Sequence, residues 1–260
     1  LAAKKQDGAS ERYLYQLRSD INRFKDRFPG PILQIKSHQI DEWLRQRGGA
    51  PRTRNSSLTS IRTFFSWAKS RCYLPKNEET AAEGVPKVRV GDTETGIFTP
   101  EQMGKILEAA TAEIIPFIVL GAFAGLRAAE ITRIEWSAID LERRFITIRA
   151  GQAKTASRRI VPISDNLRQW LLPHVGRGLI VPSAETYRKA TNLSRRLGIE
   201  WPHNVLRHSF ISYRIAKIKN ANEVALEAGN SPDIIFRHYR ELATEEQADA
   251  WFAIVPPADS

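Results

Sequence analysis

Leu14, Leu17, Ile21, Phe24 and Phe28 recur at spacings of three and four, so one face of a predicted helix is apolar. Pro29-Gly30-Pro31 ends it. A second helix is predicted from Ser37, burying Ile40, Trp43 and Leu44 and stopping at Gly48-Gly49. A third runs from about Arg52 with Leu58, Ile61, Phe64, Phe65 and Ala68 inward. The periodicity then vanishes. Residues 76–97, punctuated by Gly84, Pro86, Gly91 and Gly96, read as a linker between a domain at 1–75 and another at 98–260.

The pattern resumes at Thr99-Pro100-Glu101-Gln102. This is a capping box, in which the Thr hydroxyl takes a free backbone N–H and Gln reaches back. Met103, Ile106, Leu107 and Ala110 form the stripe that follows, and Ile114–Leu126 reads as a core helix broken at Gly125. Phe145–Ile148 and Arg159–Ile163 read as two strands flanking a polar loop. Helices are predicted near Asp165–Leu172 and Glu185–Leu197, and through Leu206, Phe210, Ile211 and Ile215. Ser231-Pro232 starts another, with Ile234, Ile235 and Tyr239 on one face. A second capping box, Thr244 to Gln247, opens a last helix (244–255) whose Trp251, Phe252, Ile254 and Val255 need a groove, on the same molecule or on a neighbour. The fold class predicted is mostly α with a small antiparallel β-sheet.

Charge adds a partner to this picture. The 260 residues suit two domains, and the net charge is +10. Residues 1–75 alone hold 15 Lys/Arg against 6 Asp/Glu. A small, very basic helical module suits a nucleic-acid clamp. Arg52, Arg54, Arg62, Lys69 and Arg71 on and beside the third helix are either a solvated face or a phosphate-contacting one. The single Cys72 excludes an internal disulfide and a multi-cysteine metal site, and suits a reducing cytosol. No apolar run reaches the roughly 18 residues that span a membrane, and the start, Leu1-Ala2-Ala3-Lys4-Lys5, lacks a signal-peptide core.

The candidate chemistry lies in four places: Arg127 in GLRAAEI, Lys154 in GQAKTASRRIVPI, Arg207 in HNVLRHSF and Tyr239 in FRHYR. Each is ordinary alone. An Arg127–Glu130 pair at i, i+3 is worth little on a surface, a hairpin lysine is usually solvated, and Tyr239 at helical spacing from Ile235 suits a core. Their order along the chain is more specific. From about Phe98 to Leu242 the chain resembles the catalytic domain of the tyrosine recombinases, the phage integrase family, and the basic N-terminal region is similar to that family's helical core-binding domain.

The resemblance implies a catalytic set of Arg127, Lys154, Arg207 and Tyr239, with Glu130 supporting. Two departures stand out. Asn204 occupies the place three residues before Arg207, and Asn230 the turn before the tyrosine, where the family usually has His. Asn donates a hydrogen bond but cannot shuttle a proton, which leaves His203, His208 and His238 as possible substitutes. The implied activity is strand cleavage and rejoining through a covalent 3′-phosphotyrosine, without ATP, metal or cofactor. The implied partner is double-stranded DNA, held by a homotetramer on two sites with helix 244–255 docked on a neighbouring subunit. No membrane or small-molecule substrate is involved, and the setting is the prokaryotic cytosol or nucleoid. The alternatives are a DNA-binding protein of the same fold with decayed catalysis, and a type IB-like topoisomerase.

Overall fold

A computed structural model describes residues 1–91, 96–149, 158–181, 183, 185–239 and 242–257, with His238 described in its backbone only. The chain divides into two compact units, Leu1–Thr93 and Glu94–Ser260.

The first unit consists of α1 (Ala2–Gln6), α2 (Glu11–Arg27), α3 (Ser37–Gln46) and α4 (Pro51–Ser70). Ser10 caps α2 by accepting from the Tyr13 N–H. The expected apolar faces meet in one core, where Phe24 packs edge-on against Trp43 and Phe65 with ring centroids 5.5 and 5.9 Å apart. Asp20 is fully buried in this core and accepts from Ser57 Oγ at 3.0 Å and Arg47 Nη1 at 3.4 Å.

Part of the stretch read as a linker is built onto this unit. Ala82 and Val85 are buried with the core. Arg62 donates to the carbonyls of Ala82, Glu83 and Val85 at 3.1, 3.1 and 2.6 Å. Asn55 closes the strap by pairing with both the N–H and the C=O of Val88.

The second unit opens with α5 (Pro100–Glu108) behind the expected Thr99–Gln102 capping box. The wholly buried α6 (Ile115–Ala124) follows. It ends where the apolar run predicted, because Gly125 turns left-handed at φ +63. A Cβ there would lie 2.3 Å from the Phe210 ring, so no other residue fits. After α7 (Ala128–Ile131) comes a three-stranded antiparallel sheet in the order β1 (Ile139–Asp140), β2 (Phe145–Ile148), β3 (Arg159–Pro162). Ile146 faces Val161, and Ile148 faces Arg159. The two-residue β1 was too short to leave a pattern in the sequence.

The remaining helices are α8 (Asp165–Leu171), α9 (Thr186–Arg196), α10 (Val205–Ile218), α11 (Ala221–Ala228), α12 (Pro232–Tyr239) and α13 (Glu245–Phe252). α10 is the central one, packed against both α6 and α13. Its Tyr213 hydroxyl donates to the Phe98 carbonyl at 2.7 Å, and its Ser209 hydroxyl accepts the Phe98 N–H at 2.9 Å.

Helix 244–255, expected to seat on its own molecule or on a neighbour, is α13 of a single chain here. The groove it needed lies on its own unit. Trp251 is fully buried, stacks on Tyr213 at 4.5 Å, meets Phe123 edge-on and donates its indole N–H to the Ala122 carbonyl at 3.0 Å. Trp170 ties down the segment beyond by donating to the Ile254 carbonyl at 3.0 Å.

Candidate active site

One carboxylate organises the centre of the second unit. Glu130, in the single turn of α7, is 1% exposed. It accepts four hydrogen bonds. The Arg127 N–H and Arg159 Nη2 reach Oε2 at 2.9 and 2.7 Å, and Arg127 Nη1 and Arg159 Nη1 reach Oε1 at 3.1 and 3.0 Å. These fill the acceptor sites a carboxylate has. Burial alone would raise the pKa of Glu130, but the bonds from Arg159 and from the Arg127 N–H outweigh it and hold the carboxyl below its ordinary value.

Each guanidinium around this carboxylate is also anchored to main chain. Arg127 Nη2 donates to the Gly229 carbonyl at 2.8 Å, Arg159 Nε to the Glu227 carbonyl at 2.9 Å, and Arg207 Nη1 to the Gly125 carbonyl at 2.6 Å. Arg207 is 5% exposed, and its Nη2 is buried with no hydrogen-bond partner among the described residues. Burial, then the like charge of Arg127, pulls this guanidinium down to about 9, which leaves it protonated at neutral pH. Three arginines and one glutamate leave this buried group with a surplus of positive charge. An unmade bond to a buried donor costs about 1–3 kcal/mol, and an entering anionic oxygen relieves both deficits.

Tyr239 closes the arrangement from the end of α12. It is 5% exposed and packs with Phe210, Ile211 and Ile235. Its hydroxyl lies 2.6 Å from His208 Nδ1, with the two rings stacked at 5.6 Å. Burial pushes the phenol up from its ordinary value, while the charges of Arg207 and Arg127 pull it back. The fold therefore brings together Arg127 and Glu130, Arg207 and His208, and Tyr239, from three separate stretches of the sequence.

The other expected site residues fall elsewhere. Lys154 and the side chain of His238 lie outside the described residues. Asn204 is exposed at the start of α10 with a left-handed backbone, φ +59, beside a small cleft it shares with Leu126, Ala128 and Arg207. Asn230 is half-buried directly after Gly229, and His203 is exposed in the turn before α10. In the first unit Arg54 pairs with Asp41, Arg62 holds the strap described above, and Lys69 donates to the Glu78 carbonyl at 2.7 Å. Those three thus have structural duties within the unit, whereas Arg52 and Arg71 are exposed.

Arg159 escaped the sequence reading. Its signal was the strand alternation, since a period of two puts residue 159 on the same inward face as Val161 and Ile163.

A helical α+β unit with a tyrosine hydroxyl beside buried arginines defines a class that the comparisons identify. The family model described as the phage integrase family matches residues 97–244, more than half of the chain, and the chain belongs to that family. A tyrosine recombinase XerC-like protein of Caldanaerobacter subterraneus subsp. tengcongensis is 32% identical over 122 residues. That match covers 44% of this chain and 31% of the relative, so the chain matches under a third of that relative's length.

Two solved structures share the fold. A lambda integrase dimer bound to a COC′ core site superposes with a TM-score of 0.74 at 14% identity, covering 90% of both chains. The Tn1549 transposon integrase in complex with transposon right-end DNA gives 0.73 at 16% identity, covering 96% of this chain and 95% of that one.

Among the described residues, no group of three or more His, Cys, Asp and Glu is placed to hold a metal ion, and no helix is long and apolar enough to cross a membrane.

Proposed function

We propose that this chain is a site-specific tyrosine recombinase, an integrase that cuts and rejoins strands of mobile-element DNA. The observation that carries the reading is the buried Tyr239 hydroxyl, held at 2.6 Å by His208, the residue next to Arg207 in α10, with the charges of Arg207 and Arg127 both acting on the phenol.

In this reading the Tyr239 oxygen attacks the phosphorus of a DNA diester. Negative charge grows on the phosphoryl oxygens, where Arg127 and Arg207 offer forked donors. The unpartnered Arg207 Nη2 takes one such oxygen. Donors fixed in place before reaction are each worth about 10²–10³ in rate. The bond to the 5′-oxygen breaks, Lys154 protonates that oxygen, and a 3′-phosphotyrosine remains. A 5′-hydroxyl from another strand reverses the step. One phosphodiester is exchanged for another, so ATP is not needed.

Residues 1–75 serve as the DNA clamp and 98–260 as the catalytic domain, with Arg52 and Arg71 available to phosphates. Four copies bring two duplexes together. In that assembly helix 244–255, which a single chain seats on its own unit, docks on a neighbouring subunit. A nucleoid-bound, cytosolic setting follows from that substrate. The two asparagines favour a second reading, a DNA-binding protein that no longer cleaves; the retained Tyr239, Arg127, Arg207 and Glu130 weigh against it.

The test is capture of covalent adducts. The chain is incubated with a pool of nicked duplexes of randomised sequence, and SDS-resistant protein–DNA complexes are recovered. Wild type gives an adduct and Tyr239→Phe gives none. An adduct surviving in Tyr239→Phe overturns the nucleophile, tight binding without any adduct supports the decayed binder, and relaxation of supercoils without strand exchange supports a topoisomerase.

A further inference from the structure

We propose that His208 is the base that takes the Tyr239 proton during strand cleavage. The inference rests on the recombinase reading above and adds to it the destination of the phenol proton.

Arg207 and His208 are consecutive in α10. Successive helical side chains differ by about 100° in direction, so one backbone segment aims the guanidinium at the Gly125 carbonyl and the imidazole at α12. The imidazole lies along the phenol ring, and Nδ1 is 2.6 Å from the hydroxyl oxygen. With the ring in its Nε2–H tautomer, the hydroxyl donates to Nδ1, and the proton already points at the atom that would receive it. This is the geometry required of a general base. It is held from behind by the apolar cluster of Phe210, Ile211 and Ile235 around Tyr239.

Need for a base is acute in this chain. A phenol ordinarily loses its proton near pH 10, and burial in this pocket pushes Tyr239 higher. The two amides nearest in sequence role, Asn204 and Asn230, accept no proton in this range. Arg207 and Arg127 lend positive charge but take no proton either. Among the described side chains, His208 is the imidazole within hydrogen-bonding distance of the hydroxyl.

The step balances. As the Tyr239 oxygen bonds to phosphorus, its proton passes to His208 Nδ1. The P–O5′ bond breaks with its electron pair on the 5′-oxygen, which takes a proton from Lys154. On rejoining, a 5′-hydroxyl loses its proton to the lysine amine as it attacks, the phosphotyrosine bond breaks, and His208 returns its proton to the phenolate.

The experiment uses the full chain and a nicked duplex recovered from the adduct pool, prepared with an ordinary 5′-oxygen and with sulfur in its place. A thiolate leaves without being protonated. His208→Gln keeps a hydrogen-bond acceptor but cannot take the proton, and is expected to slow adduct formation by about 10²–10³-fold with DNA affinity and thermal unfolding unchanged. The sulfur substrate restores Lys154→Ala and does not restore His208→Gln. Imidazole added to His208→Ala restores cleavage, and more basic imidazoles restore it further. Near-wild-type cleavage by His208→Gln, or its rescue by the sulfur substrate, overturns the role of His208 while leaving Tyr239 as nucleophile. Wild-type chain that binds DNA and forms no adduct overturns the recombinase reading, and the base with it.

Discussion

Arg62 and Arg159 are both arginines that donate to backbone carbonyls, yet they belong to different kinds of structure. Arg62 is half-buried in a strongly basic unit and fastens a strap of chain to it through three carbonyls. Arg159 is 8% exposed in the second unit, where it shares one carboxylate with Arg127 and stands near a third cation, Arg207. Water around the first unit screens its surplus charge, and little energy is stored there. Burial in the second unit leaves the surplus unscreened, so each partner lost or gained has a large effect. The basic face thus suits holding DNA, and the buried group suits acting on one phosphate.

The sharpest way to break this contrast is Glu130→Ala. It strands Arg127 and Arg159 without their counter-ion and is expected to lower stability by about 3–5 kcal/mol, read by denaturant unfolding. Asp41→Ala in the first unit, at the Arg54 and Arg45 pairs, is expected to lose about 1 kcal/mol or less. Next in size, Arg207→Ala is expected to slow adduct formation by about 10²–10³-fold with DNA affinity little changed.

Acid sharpens the same point. Because the folded Glu130 carboxyl lies below its ordinary 4.5, its stabilising effect is complete above that pH and is lost as pH falls through the lower folded value. Glu130→Gln should therefore flatten the acid limb of stability against pH in that range. Arg62→Met is expected to cost about 1–3 kcal/mol and to release the 80–88 strap, seen as faster amide exchange at Val88. Smallest of all, Arg52→Ala and Arg71→Ala should each weaken DNA binding alike across sequences and reduce the salt slope by about 1.

Much of the fold was legible because local rules acted alone. The capping boxes at Thr99 and Thr244, the helix stop at Gly125 and both long strands needed no knowledge of tertiary contacts. What escaped was decided by partners distant in sequence. The helix Ala221–Ala228 left no reading of its own, although Asn220 caps it by accepting from the N–H groups of Asn222 and Glu223. Trp251 announced a buried face but not its location; the answer lay at Ala122, Phe123 and Tyr213. In the site, Arg127, Arg207 and Tyr239 stood out through their motifs. Arg159 looked like one more cation in a basic strand, because nothing local says that Glu130 waits opposite it.

All three guanidiniums of this group are tethered to the C-terminal ends of helices: Arg207 to the carbonyl that follows α6, Arg127 to the one that follows α11, and Arg159 to one in the last turn of α11. Those ends carry the negative pole of the peptide dipoles and oxygens left over from the helical ladder. Main-chain poles, unlike carboxylates, survive almost any exchange of neighbouring side chains. Exchanging other neighbours while sparing Glu130, Gly125 and Gly229 should therefore leave the cations in register.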